Sequence, residues 1–515
     1  MSYYRRNLNW MRVLIPLILL MGAYVMHASL FEDWLIDDAG ISLAYARNLA
    51  NGDGLVSQPG VKPVEGFSNP LWVFMLSFIG ALGFNLPSVV KLLSISLTLV
   101  SIALLFFIGR HVLRSSILAS LVTGMLVVQP AFVIWSVSGL ENPVYVLLIL
   151  LLFIVSLQAP SKRNAMLAGC LAAAIAITRP EGILYAIVYP ALHRRMVKSY
   201  LAPLLLLLSG FLAFRLIYFG DLLPNTYYMK MQGGFLSWEW LLEQIYKSYD
   251  LAGAFWGDAR IIVFIVLAIS VVYLVRMHAI HRNHWTVFLF VLIPLTSFYL
   301  LPADWMGEYR LASPIFPFVY LLLAMILLDV FLIRKISHRN AKLILGGILG
   351  VWLLVGAVAY YLPRSRQFSQ EPTVSFWGVS ADFKRFEDYA ESLDLTQASV
   401  LLPDVGGPLY DSHLRVYDLA GLTDSTIART INKNQNAFYD YVFGMVRPTF
   451  IHVHGKWTYL ANLEADPRFR GDYLPINEYE DQYVKNHHDM ILFSGDFVRR
   501  DVLQDPREID LLREE

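Results

Sequence analysis

The chain is 515 residues long, 56% hydrophobic and 16% charged, with a mean hydropathy of +0.50. An ordinary soluble domain carries about 25% charged residues, so a composition this apolar, gathered into long blocks, excludes a soluble enzyme, a disordered chain and a fibrous one. Its 41 basic and 41 acidic residues cancel, which leaves net charge no argument for nucleic-acid binding.

The chain reads as a polytopic α-helical membrane protein. The first apolar block, residues 11–30, follows Arg5 and Arg6. Spanning a bilayer takes about 20 residues. No small-residue cleavage site follows the block, so it reads as a membrane helix and not as a signal peptide. An acidic stretch, FEDWLIDDAG, comes next. Further apolar blocks lie at 88–109, 115–135, 143–158, 164–178, 181–192, 200–219, 261–275, 285–301, 314–333 and 343–362. The single cysteine, Cys170, falls in one of them; it excludes an intramolecular disulfide or a cysteine metal site and is expected as a small buried hydrophobe. Connectors at 110–114, 162–163, 193–195, 276–282 and 334–342 are basic, whereas those at 140–143, 178–182, 220–260 and 303–310 are acidic or mixed.

The positive-inside rule puts the basic connectors and the N-terminus in the cytoplasm. That parity requires residues 70–84 to stay outside as an interfacial or re-entrant helix. It predicts about eleven spanning helices, with every motif-bearing connector on the outer face. Residues 1–362 are thus the expected transmembrane domain, with 31–87 an outer loop carrying interfacial helices. Residues 363–515 turn polar, with strand-like runs at 399–403 and 450–453 and a helix-like stretch at 381–393. They read as an extracytoplasmic, periplasmic α/β domain of ordinary size, roughly 150 residues.

Asp37-Asp38, directly after the first membrane helix, is the strongest chemical signal. Adjacent carboxylates beside lipid repel each other, so a divalent cation, an arginine or a shared proton must offset them. A carboxylate held there suits accepting a proton from a hydroxyl or ligating a hard metal ion. A helix-compatible segment with Tyr45 and Arg47, a turn-rich stretch at 51–55 and an asparagine-proline start at Asn69-Pro70 follow. A polar loop this elaborate is costly beside lipid unless it forms a site.

The runs 37–49 (DDAGISLAYARNL), 51–56 (NGDGLV) and 65–72 (EGFSNPLW) resemble bacterial glycosyltransferases of the GT-C class, most of all the branch of terminal arabinofuranosyltransferases of cell-envelope glycans. The later pieces SGLE (138–141), TRPEG (178–182), YFGDLLPNTYYMK (218–230), DWM with YR (304–310) and VYDLAGLTD (416–424) fit the same pattern in order. The resemblance implies a transferase that uses a polyprenyl-phosphate sugar as donor. Asp37 and Asp38 carry over as its catalytic pair, one the general base and the other an orienter or metal ligand. Glu65 carries over as a sugar or acceptor contact. The chain departs from the family pattern at Gly40, where a tyrosine or another large residue is usual.

A polyprenyl phosphate leaves as an anion and needs fixed cations. Arg179, Lys230 and Arg310 stand at outer helix ends under this topology and are the candidate phosphate contacts; each is equally a residue that snorkels or pairs with a nearby carboxylate. Arg215 lies deeper in its block, where a charge needs a partner. Tyr45, Asn69, Asp221, Asn225, Tyr228 and Asp304 are candidate sugar or acceptor contacts, the aromatic ones doubling as interface anchors. His452 and His454 alternate along a strand, with no third zinc ligand at a matching spacing. Asp404, Asp418 and Asp424 read as turn residues.

The expected protein is a multi-pass enzyme of the bacterial plasma membrane. It would move a sugar, arabinofuranose by resemblance, to an envelope glycan, a glycolipid or a surface protein such as a pilin. Mg²⁺ or Mn²⁺ on Asp38 is the cofactor the acidic pair admits. A flippase of lipid-linked sugars is the competing reading and would place charges in a cavity near the midplane. A non-catalytic scaffold would leave Asp37-Asp38 unexplained.

Overall fold

The computed structural model describes residues 11–230, 238–256, 268, 270–272, 275, 282–302, 304–485, 488–505 and 507–514. The chain divides into two compact units, one of Met1–Trp34, Ser88–Phe211 and Gly234–Thr373, the other of Leu35–Pro87, Leu212–Gly233 and Val374–Glu515.

The first unit is helical. In the whole chain, among the described residues, six helices are long and apolar enough to cross a membrane: Val13–Phe31, Leu86–Leu113, Arg194–Phe219, Asn283–Leu300, Phe316–Ile333 and His338–Gln370. A seventh forms if Ser116–Val128 and Pro130–Val137, bent by 64°, count as one. The bend falls where Pro130 opens the second helix, since proline has no N–H to continue the ladder. Three of the remaining apolar blocks form shorter helical segments at Asn142–Leu157, Lys162–Thr178 and Pro180–Leu192. The block at 261–275 lies for the most part outside the described residues.

Side-chain bonds tie the bundle together. Tyr24 and Ser136 share a 2.8 Å hydrogen bond, and His27 bonds Val127 O at 2.9 Å and Ser365 Oγ at 2.7 Å. Phe153, Phe290 and Phe318 form an aromatic cluster with ring centroids 5.0–5.1 Å apart. The expectation for Cys170 is corrected, because it is exposed. Ala165, Ala168, Gly169, Ala172 and Ala173 take the packing stripe of its helix, and position 170 falls off that three-and-four spacing.

The second unit is built on a five-stranded sheet of β1 (Ser399–Leu402), β2 (Arg415–Asp418), β3 (Phe450–Val453), β4 (Tyr473–Lys485) and β5 (His488–Arg499), in the order β2-β1-β3-β5-β4. β1 is parallel to β2 and β3, while β5 is antiparallel to both β3 and β4. The short apolar runs SVLL and FIHV become the central parallel strands because both their faces are covered. Leu401, Ile427, Phe438, Val442, Ile451 and Phe497 close one face of the core.

The segment Leu35–Pro87 joins the rest of this unit through main-chain bonds. Asp37 N donates to Val374 O at 3.1 Å and Phe376 N to Leu35 O at 2.9 Å. Its helices are Asp37–Asn51 and Pro70–Ala81. The first packs against Gly406–Asp411 and Phe376–Ser392.

Candidate functional site

Asp37 opens the helix Asp37–Asn51 after the extended Ile36. Its carboxylate is 4% exposed. Oδ2 accepts from Gly406 N at 3.0 Å and Oδ1 from Gly407 N at 2.8 Å. Burial pushes the carboxyl up to about 8, against the Gly407 and Gly406 amides and with help from the Asp38 charge. Asp38, beside it in the same first turn, is only half-buried. The pair therefore splits into a buried carboxylate locked by two amides and a more accessible neighbour.

Gly40 stands where two backbones meet. A Cβ there would collide with the Gly406 carbonyl and come within 2.8 Å of Phe376. A Cβ on Gly406 would in turn strike the Asp37 backbone. Two helix starts approach so closely that only glycine fits on either side.

A second cluster in the same unit gathers three sequence motifs. Glu65, 3% exposed, pairs with Arg215 through Oε2–Nε at 2.6 Å and Oε1–Nη2 at 2.9 Å. Arg215 also donates to Leu222 O at 3.0 Å. Asn225 N donates to Glu65 O at 2.9 Å, and its amide reaches Gly421 O and Leu422 O at 2.7 and 2.9 Å. Tyr45 is fully buried; it donates to Val64 O at 2.5 Å and accepts from Gly66 N at 3.2 Å. Asn69 accepts from Ser42 Oγ at 3.2 Å. Asp221 pairs with Arg429 at 2.8 Å, and the Arg429 guanidinium lies 4.5 Å over the Tyr228 ring. Of the proposed sugar contacts here, Tyr45, Glu65, Asn69 and Asn225 are buried, whereas Asp221 and Tyr228 are partly open.

The first unit holds Arg179, Asp304 and Arg310. Arg179 is buried between Glu141 and Glu181 and bonds to both. Arg310, 6% exposed, pairs with Asp304 at 3.1 Å and stacks 6.0 Å from Trp135. Each arginine thus already has a carboxylate; Glu181 stands beside Arg179 in sequence, whereas Glu308, the acidic residue just before Arg310, pairs with Arg364 instead. Lys230 ends the helix Asn225–Lys230 in the second unit, and its side chain lies outside the described residues.

Mg²⁺ or Mn²⁺ on Asp38 would need further ligands. Among the described residues no group of three or more His, Cys, Asp or Glu forms one, and Asp37 gives an oxygen to each of two amides. His452 and His454 take separate carboxylates, Asp496 at 2.6 Å and Asp404 at 2.8 Å. Asp404 thus has a fixed partner, and its bond to His454, outweighing burial, raises the imidazole.

Arg215, expected to need a partner as a charge inside an apolar block, finds it in Glu65. The sequence left Gly406-Gly407 and Arg429 unassigned. Gly406-Gly407 follows a strand and opens a helix, the usual place for an anion to meet backbone amides. Arg429 gives no sequence signal.

No family model matches the chain, and no curated protein does either. Solved structures do. The oligosaccharyltransferase AglB of the archaeon Archaeoglobus fulgidus, in complex with an inhibitory peptide and a dolichol-phosphate, is 10% identical with a TM-score of 0.52, over 94% of this chain and 74% of that one. A second structure of the Archaeoglobus fulgidus oligosaccharyltransferase, with Zn and sulfate, gives 10% and 0.52 over 92% and 73%. ArnT from Cupriavidus metallidurans, bound to undecaprenyl phosphate, gives 12% and 0.52 over 93% and 97%. The chain shares the fold of these structures, and among its described residues six helices are long and apolar enough to cross a membrane.

Proposed function

We propose that the chain is a GT-C glycosyltransferase that moves one sugar from a polyprenyl phosphate to an acceptor hydroxyl at the outer face of the bacterial plasma membrane. The observation that carries it is the division of labour in Asp37-Asp38, since two backbone amides hold Asp37 while Asp38 stays accessible beside it. Neighbours of the same fold that hold a dolichol-phosphate and undecaprenyl phosphate support the lipid donor.

In this reading Asp38 is the base and Asp37 the positioning residue. The acceptor oxygen attacks the anomeric carbon, the carbon–oxygen bond to phosphate breaks, the acceptor proton passes to Asp38, and polyprenyl phosphate leaves as the anion. A positioned base contributes about 10²–10⁴-fold. Arg179, Lys230 and Arg310 are the proposed phosphate contacts, with Asp221, Tyr228 and Asp304 toward sugar or acceptor. For the two arginines the phosphate would share a guanidinium already engaged by carboxylates. Arabinofuranose as donor, and an envelope glycan, glycolipid or pilin-like protein as acceptor, rest on the sequence resemblance.

The test offers a panel of polyprenyl-phosphate sugars to reconstituted wild type, Asp37→Asn and Asp38→Asn. Sugar transfer by wild type that is lost in a folded, inserted Asp38→Asn supports the proposal. Undiminished transfer in both variants moves the chemistry elsewhere, and lipid-linked sugar crossing the bilayer without transfer favours a flippase.

A further inference from the structure

Arg47 lies on the helix Asp37–Asn51, ten residues after Asp37, and none of the roles above uses it. Its partner element is the helix Gly406–Asp411, whose first amides hold Asp37. The Arg47 guanidinium meets the other end of that helix. Nη1 donates to Tyr410 O and Nη2 to Leu409 O at 3.4 Å, and the group stacks 4.9 Å from the Tyr410 ring. Nε and Nη2 also donate to Asn48 Oδ1 at 3.3 and 3.1 Å. Asn48 in turn bonds Val56 O and Ser57 O at 2.9 and 3.0 Å.

A helix leaves its first N–H groups and its last C=O groups without partners inside it. Here one neighbouring helix serves both ends of Gly406–Asp411, with a carboxyl at the amides and a guanidinium at the carbonyls. Between them, Gly40 meets the Gly406 carbonyl with no room for a Cβ. The two helices thus run in the same direction and touch at three levels, so turning or sliding one displaces the Asp37 carboxyl. Ten residues of helix rise about 15 Å, whereas Leu409 and Tyr410 lie only about 4.5–6 Å beyond Gly406. A long side chain that leans back toward the start of its own helix closes that difference. Arginine does so with several donors in one plane.

Capping a short helix would account for the bonds to Leu409 and Tyr410 taken alone. It does not account for Asp37 and Arg47 standing on one helix, with the Gly40 contact between them.

We propose that Arg47 is a positioning residue. It fixes the helix Gly406–Asp411 against the helix Asp37–Asn51 and thereby sets the direction in which Asp37, and Asp38 beside it, face. The inference rests on the reading of Asp37-Asp38 as the catalytic pair. Arg47 acts through the main chain and not on substrate.

The full chain in nanodiscs is compared as wild type, Arg47→Gln, Arg47→Lys, Asp37→Asn and the double variant Arg47→Gln with Asp37→Asn. Two quantities are read, sugar transfer from the donor panel and hydrogen exchange over residues 404–411. In Arg47→Gln that exchange should be about fivefold faster, and kcat should fall roughly 10–100-fold with KM unchanged. Arg47→Lys keeps the charge but cannot fork between two carbonyls, so it should behave like Arg47→Gln. In the Asp37→Asn background the same change should cost little more, since both act through one group. Undiminished kcat in both Arg47 variants overturns the proposal. So does an equal fractional loss with and without Asp37, which is what a general loosening of structure gives. Where wild type transfers no sugar from the panel, the transferase reading fails and exchange alone decides. Faster exchange in Arg47→Gln then upholds the grip between the two helices, and unchanged exchange overturns it.

Discussion

At the scale of single residues, Asp37 and Asp418 make stability depend on pH. Burial pushes Asp37 up to about 8 and Asp418, which accepts from Thr423 N at 2.6 Å, up to about 7. A carboxyl raised in the folded state binds a proton there that the unfolded chain has already lost. Its stabilisation is complete below the ordinary value of 3.8 and is lost as pH rises through the folded value. The melting temperature of the purified protein should therefore fall between about pH 5 and about pH 8, and Asp37→Asn with Asp418→Asn should flatten that slope. Asp37→Ala leaves two buried amides without an acceptor and should cost about 1–3 kcal/mol, measured by denaturation. The Glu65–Arg215 pair behaves differently. Arg215→Met alone strands a buried charge at about 3–5 kcal/mol, whereas Glu65→Leu with Arg215→Met should recover most of that loss.

At the scale of elements, the loops carry the organisation of the second unit. The segments at 65–69, 221–226 and 418–424 lie far apart in the chain, yet Asn225 bonds the Glu65 carbonyl as well as those of Gly421 and Leu422. Asp424 then caps the helix Ser425–Thr430, accepting from Thr426 N at 2.8 Å and Ile427 N at 3.0 Å. Asp424→Ala should remove about 1 kcal/mol through the lost cap, whereas Asn225→Ala should loosen the 418–424 loop itself. Hydrogen exchange over 418–430 separates the two, with faster exchange confined to the first helical turn in the Asp424 variant. The turn signals in these loops are legible in sequence because Gly, Pro, Asn and Asp shape the backbone locally. Which loops meet is not, since carbonyls of Gly421 and Leu422 carry no side-chain signature.

At the scale of the whole molecule, the proposed orientation can be read by labelling. In a Cys170→Ser background, an impermeant thiol reagent should label Glu371→Cys in intact spheroplasts and Arg339→Cys only after permeabilisation, both positions being exposed. The reverse pattern would invert the topology. What the sequence by itself determined is the class of protein. Long apolar blocks dictate membrane helices, because backbone polar groups in lipid must bond within the segment, and Asp37-Asp38 stands out because paired carboxylates beside lipid need a reason. Span number is less legible, since blocks of 12 to 16 residues satisfy hydropathy without reaching across a bilayer. Only the tertiary structure decided which aspartate is buried against two amides and which is half-buried. The amides that hold Asp37 lie 369 and 370 residues away, and Arg215 lies 150 residues from the Glu65 that neutralises it. Hydropathy and turn chemistry act between near neighbours in the chain, whereas desolvation and hydrogen-bond partners belong to the packed state and exist only once distant segments have met.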